Sequence, residues 1–396
     1  MSKPLVVRKI SMVNFLIVAW AVALSLVTLS QGADSFSFST FLYPVIFFPF
    51  AIVPLFRFKI IKTTRKMVSA VLLFFFIISG LISASHHGDM AMVYSVFAFS
   101  LYLLTGLYLY PALFDKRQQF LFFNAVFCFS LFYFIFFSFK YDLIIRTSLH
   151  YENPNTLGIA AASIAILGLG LFFSMAENKA GLCRKLLYIA GVLFMLYLTL
   201  LSVSRTAFLS IVMVFFLLGA VYFLRADMVR KVKFTFFMII IGFFLFYFFA
   251  DLAFDTVIGK FQRKEDDVFD SRSVLWEFIL ENTGILGLGM EFFRSDAFIA
   301  AHSTYFSFLG RYGWSLFVPF FLLLLFLAWD IFYRLVFKRE DSSGYVCFSL
   351  YFGFLVMSIA EIMIFKSIMV YAFVFIGGYA AIRADSRLKS FRPNEG

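Results

Sequence analysis

The stretch KLLYIAGVLFMLYLTLLSVSRTAFLSIVMVFFLLGAVYFL, Lys185 to Leu224, is apolar almost throughout, and its one internal charge is Arg205. A helix needs about 20 apolar residues to cross the hydrocarbon core of a bilayer, so a run of about 40 is too long for one span and right for two. An arginine at the centre of a membrane helix costs at least about 2.5–3.5 kcal/mol, whereas one at a turn reaches the headgroups. A tight helical hairpin satisfies both conditions, with Ser202-Val203-Ser204-Arg205-Thr206 at its tip.

The pattern extends over the whole chain. Of 396 residues, 62% are apolar, only 14% are charged and 62 are phenylalanine. A soluble domain carries about 25% charged residues, so a water-exposed fold is excluded. Apolar runs lie near 10–30, 40–56, 67–84, 91–113, 120–139, 156–176, 185–203, 206–224, 234–251, 312–333, 345–362 and 367–383. The expected fold is all-α and integral to the membrane, with about twelve transmembrane helices. The run at 10–30 has no small-residue cleavage site after it and reads as a first span, not a removable signal.

The net charge of +11 would raise nucleic-acid binding in a soluble protein. Here the basic residues fall between apolar runs, as the positive-inside rule expects, and no nucleic-acid partner is implied. With both termini cytoplasmic, every cytoplasmic segment is basic, for example Arg57, Lys59 and Lys62, or Arg230, Lys231 and Lys233. Arg205 then faces outward. Cys128, Cys183 and Cys347 have neither metal-ligand spacing nor a disulfide pattern.

Three regions follow: nine spans in 1–250, an external loop domain at 251–311, and three spans with a cytoplasmic tail in 312–396. Within the loop, Ser271 to Leu280 has helical spacing, with Val274, Trp276, Phe278 and Ile279 as apolar positions. One or two short helices lying across the membrane face are expected.

Four external features hold the candidate chemistry. They are His150 to Asn155, Ser202 to Thr206, Ser271-Arg272 with Trp276 and Gly287-Leu288-Gly289, and Ala301 to Tyr305 with Gly310-Arg311-Tyr312-Gly313-Trp314. Arg205 is either a turn residue snorkelling to the headgroups or an anion clamp, since a guanidinium fork matches phosphate oxygens. Arg272 is a solvated loop residue or a second such clamp, and two arginines on one face suit a diphosphate. His302 is a hydrogen-bonded structural residue or a general base for a sugar hydroxyl. Asn153 and Asn155 flank Pro154 and either cap the next span or bind sugar or phosphate. Glu361 either orients His302 or forms an exposed ion pair with Lys366. His86 and His87 read as a solvated loop, with metal binding a weaker possibility.

In this order, the motifs resemble the O-antigen ligase and polymerase superfamily of bacterial surface-polysaccharide enzymes. The matching elements are Asn153 to Asn155 before a span, Ser-x-Ser-Arg-Thr at Ser202 to Thr206, and Arg272 with Trp276, Gly287 and Gly289. His302 to Gly313 completes the set. The resemblance covers about Asn153 to Leu316. It implies a metal-independent, inverting glycosyltransferase without cofactor, on the periplasmic face of the bacterial inner membrane. The implied substrate is a glycan on undecaprenyl diphosphate, and the implied partners are membrane lipid and a chain-length regulator protein. By position, Arg205 and Arg272 hold the diphosphate and His302 activates or orients the acceptor hydroxyl. Asn153, Asn155, Ser204, Arg311 and Glu361 complete the substrate site.

The family divides by acceptor. Polymerases extend a lipid-linked repeat unit, and ligases move the glycan to lipid A–core. Ligases carry Gly, Thr or Tyr three residues after the glycine matched to Gly313. This chain has Leu316 there, which favours polymerase. The rival class is a lipid-linked-glycan flippase, for which internal repeats and mid-membrane charges would be expected.

Overall fold

The structure is a computed structural model. It describes residues 3–30, 64–104, 116–177, 181–236, 268–292, 302–337 and 344–361, with the isolated positions 239, 243 and 247. The expected spans at 40–56 and 367–383, and most of that at 234–251, lie outside the described residues.

The elements are α1 (Lys3–Leu29), α2 (Thr64–His87), α3 (Met90–Leu104), α4 (Lys116–Lys140), α5 (Pro154–Glu177), α6 (Leu182–Leu201) and α7 (Arg205–Arg225). They continue with α8 (Val268–Asn282), the single turn α9 (Gly289–Phe292), α10 (Thr304–Val336) and α11 (Gly344–Ala360). There is no strand among the described residues.

Six of these helices contain stretches long and apolar enough to cross a membrane, namely α2, α4, α5, α6, α7 and α10. Met12–Val27 of α1 and Gly344–Ala360 are shorter apolar helices. Exposed large apolar side chains recur every three or four residues on the outer faces. Phe132, Phe136 and Phe139 do so on α4, Leu209, Met213 and Phe216 on α7, and Phe321, Leu325 and Trp329 on α10. Such stripes cannot face water in quantity and match the apolar interior of a bilayer. The protein is therefore an all-α, multi-pass membrane protein.

The core is built on α5, which is buried from Leu157 to Met175. Its small residues let neighbours approach closely, as packing without a hydrophobic drive between helices requires. Gly158 abuts Ser202 and Ser204, and a side chain there would collide with both. At Gly168 a Cβ would stand 2.5 Å from the Phe127 ring of α4 and 2.7 Å from Val192 of α6. At Gly170 it would stand 2.7 Å from the Val346 Cα of α11.

Gly170 meets Val346 while Ile166 meets Gly353, so α5 and α11 are antiparallel. The Pro154 end of α5 therefore lies beside the Glu361 end of α11. We name the two faces after the ends of α7, Arg205 and Arg225. The hairpin turn falls where the sequence suggests, since α6 ends at Leu201 and α7 begins at Arg205.

At the Arg225 face one guanidinium ties four helices. Arg225 of α7 donates from Nη2 to Glu177 Oε1 of α5 at 2.7 Å, and from Nη1 to the Leu335 carbonyl of α10. It also lies over the Tyr345 ring of α11, 5.5 Å from its centre.

The main departure from expectation is at α10. The sequence suggests a span starting at Tyr312, but helix begins at Thr304 and is broken at Gly313, with φ 76°. The expected loop–span junction at 311/312 falls at this break. The break frees backbone groups that the segment 284–288 takes up. Leu288 N donates to Gly310 O at 2.7 Å, and Ser315 N donates to Ile285 O at 3.0 Å. Trp314 N reaches Gly284 O at 3.4 Å. Buried backbone must be paired, and here the pairing comes from outside the helix.

Candidate functional site

Three helix N-termini point at the Arg205 face, those of α5, α7 and α10. The macrodipole leaves roughly half a positive charge at each helix N-terminus, which favours an anion nearby.

The α5 terminus is capped by Asn153, whose Oδ1 accepts from Asn155 N at 2.8 Å. Its carbonyl accepts from Thr156 N at 3.0 Å. The capping role proposed for Asn153 is thus present, and both asparagine side chains remain exposed.

The α7 terminus is the hairpin tip. Ser202 Oγ donates to Thr199 O at 2.7 Å and accepts from Ser204 N at 3.4 Å. Ser204 is buried and precedes α7 without a side-chain cap bond. Arg205 opens the helix, half-buried. The tip is tied to the α4–α5 loop by Arg146 N, which donates to Leu201 O at 2.7 Å. Contact of Gly158 with Ser204 brings the α5 and α7 termini together.

The α10 terminus joins α11. Ser303 caps it, accepting from Phe306 N, and its hydroxyl donates to Ser358 O at 3.3 Å. Thr304 donates twice to the Glu361 carbonyl, from N at 3.2 Å and from Oγ1 at 2.9 Å. Glu361 is 5% exposed, so it is not the solvated half of a surface ion pair. Lys366 lies outside the described residues. His302 stands immediately before this cap with φ 47°. Arg311 is buried near the end of the first segment of α10.

The segment from α8 to α9 covers this terminus. Leu275 and Ile279 pack with Leu309, and Trp276 stacks on Phe306 with ring centres 4.7 Å apart. Phe278 stacks on Phe292. Of the expected apolar positions Val274 is exposed, and its place in the contact is taken by Leu275. Arg272 lies one turn before Trp276 on α8, and its side chain is outside the described residues.

His87 is not a solvated loop residue. It ends α2, its Nε2 lies 3.1 Å from Leu286 O, and its ring abuts Gly289. Ser83 Oγ donates to the same carbonyl at 2.6 Å. His150, within the first external feature, is a buried lock. Its Nε2 is 2.8 Å from Tyr133 OH and 3.3 Å from Leu29 O, and its ring stacks on Phe137. Aromatic residues spaced along α4 are the only sequence signal for this.

Backbone strain gathers on the same face. The non-glycine residues with positive φ among those described are Arg146, Leu149, Val203 and His302. Each such residue costs about 1–3 kcal/mol and persists only where its surroundings fix it. Val203, β-branched at φ 59°, is the most adverse.

The structure thus gathers Asn153, Asn155, Ser204 and Arg205 around one pair of helix termini and His302 and Glu361 around another on the same face, with Arg311 two turns further along α10. Chemically, the α7 terminus, which lacks a side-chain cap, can present its first N–H groups and the Arg205 guanidinium to an anion, whereas the α5 N–H groups are taken by Asn153. The second group offers an imidazole on a rigid cap. No known family pattern and no curated protein matches the chain.

Proposed function

We propose that the protein is a periplasmic-face glycosyltransferase that polymerises undecaprenyl-diphosphate-linked O-antigen repeat units. The supporting observation is the gathering of Arg205, His302, Arg311 and three helix N-termini on one face, opposite the face that holds Lys185, Arg230 and Lys233. By the positive-inside rule the latter faces the cytoplasm.

In this reading the acceptor hydroxyl attacks the anomeric carbon of the donor sugar from the side opposite the diphosphate. His302 takes the hydroxyl proton as the new glycosidic bond forms. The bond to the diphosphate breaks and undecaprenyl diphosphate leaves with the electron pair. Arg205 and Arg272 neutralise the charge that builds on the leaving oxygen. A unit charge pair at 4 Å is worth about 4 kcal/mol near a protein surface, and more where lipid excludes water. Asn153, Asn155, Ser204 and Arg311 supply hydrogen bonds to sugar and phosphate, and Glu361 holds the backbone that fixes His302.

Leu316 supports polymerase over ligase only as a sequence feature. Its side chain is fully buried, 2.6 Å from where a Cβ on Gly80 of α2 would stand, and serves packing. The test is lipopolysaccharide gel analysis of a deletion strain. Core plus one repeat is expected. Bare core would mean ligase, and an unchanged ladder in a strain known to make O-antigen would remove both readings. In the same strain, His302→Ala should leave core plus one repeat while the protein is still found in the membrane.

A further inference from the structure

A cavity of about 320 Å³ opens at the Arg225 face between α5, α6, α7 and a helical segment over 228–236. Its α5 lining lies about 21–27 Å along the helix from the Gly158 contact, at 1.5 Å rise per residue, and it shares no residue with the site above. Its inner wall is apolar: Phe172 and Phe173 of α5, Leu186 and Ile189 of α6, and Phe234. Its rim is basic, formed by Lys185, Arg230 and Lys233. Phe234 seats the 228–236 segment, with its ring centre 4.9 Å from Tyr222 and 5.9 Å from Phe173.

Among the described residues, two carboxylates face this region. Glu177 is engaged by Arg225 at 2.7 Å. Asp227 lies 3.3 Å from Arg230, but both side chains are largely exposed, at 61% and 43%, so the pair is weak. Lys185 and Lys233 have no carboxylate partner among the described residues. The rim therefore keeps a net positive charge of about two beside the membrane boundary.

We propose that this cavity binds one acidic phospholipid from the leaflet on the Arg225 face. The phosphate lies at the rim formed by Lys185, Arg230 and Lys233, and the upper part of one acyl chain lies against Phe172, Ile189 and Phe234. The lining pairs the buried rings of Phe172 and Phe173 with the at least partly exposed cations Lys185, Arg230 and Lys233 near the helix ends. An acidic lipid presents the matching pair, an apolar chain and an anionic headgroup. A free phosphate makes no use of the apolar wall, and a zwitterionic lipid makes little use of the three cations. The volume falls in the range of small-molecule sites, about 300–1,000 Å³, so it holds part of a lipid, not all of it.

The experiment is native mass spectrometry of the full-length protein in detergent, titrated with phosphatidylglycerol or phosphatidylcholine. One basic side chain near an anionic lipid contributes about a five-fold gain in binding. Phosphatidylglycerol should therefore bind at least about tenfold more tightly. The triple variant Lys185→Gln/Arg230→Gln/Lys233→Gln should erase that preference while the protein stays monodisperse, because these side chains lie at a partly exposed rim. Ala176→Phe, which fills the cavity and keeps every charge, should also remove the tight adduct. Equal binding of the two lipids, a preference that survives the triple variant, or an adduct untouched by Ala176→Phe would each overturn the proposal. So would displacement of the lipid by millimolar inorganic phosphate, which would mark a small-anion site.

Discussion

In the proposed reaction Arg205 is the residue on which the leaving-group chemistry would turn. It opens α7, so the helix dipole and its own charge act on the same point. Removing one preorganised donor to a developing oxyanion costs about 10²–10³ in rate. Arg205→Ala should therefore stop chain growth in the gel assay without reducing the amount of protein in the membrane. Arg205→Lys keeps the charge and loses the planar fork, and should fall between the two. Wild-type ladder length from Arg205→Ala would remove the residue from the mechanism. His302 and Val203 show what the sequence does not disclose at this scale. Nothing in His-Ser-Thr or in Ser-Val-Ser announces a backbone at φ 47° or 59°, because the strain is imposed by what the turns pack against. Arg205 itself is legible, since a charge amid so long an apolar run has few places to go.

Among the elements, α10 is governed by its break. A Cβ on Gly313 would collide with the backbone of Gly287 and Ile285, and one on Gly287 would stand 2.5 Å from Arg311 O. Both glycines also have positive φ. Neither side has a flexible atom to move, so Gly313→Ala and Gly287→Ala should each destabilise the protein by at least about 2 kcal/mol. This would be read as a lower melting temperature in detergent. Gly88→Ala, with positive φ but open space around it, should cost only about 1 kcal/mol. Unchanged melting of Gly313→Ala would mean that the crossing is not tight. The α6–α7 hairpin was readable because span length is a local property. The start of α10 was not, because its first segment is completed by residues 284–288, and hydropathy windows see only neighbours in sequence. The same reason explains His87, whose partner Leu286 lies 199 positions away. The helix over 268–282 was visible from its spacing. Which of its faces is buried depends on Leu309 and Phe306, so spacing alone does not tell that Leu275 is buried and Val274 exposed.

For the whole molecule, the two faces differ in kind. The Arg225 face is clamped by a largely buried ion pair, with side-chain exposures of 7% and 23%. Breaking such a pair strands a charge and costs about 3–5 kcal/mol. Arg225→Gln should therefore lower the melting temperature sharply, and Arg225→Gln with Glu177→Gln should recover much of the loss. Equal melting of the single and double variants would show the clamp to be incidental. Orientation is checked by the native Cys183, which is exposed near the start of α6 on this face. A membrane-impermeant maleimide added to intact spheroplasts should leave Cys183 unlabelled and should label an Asn153→Cys variant. The reverse pattern would turn the molecule over and place the site in the cytoplasm.

The crossing of 284–288 with Gly310 to Ser315 also sets a sequence in time. The earlier segment leaves the ribosome first, and the interrupted ladder can find its missing partners only once α10 has followed it. Membrane insertion of α10 is thus one event and its completion another. A chain cut from 268 to 292 should reach the bilayer yet never settle there, and be cleared by proteolysis where a point variant of the site would persist.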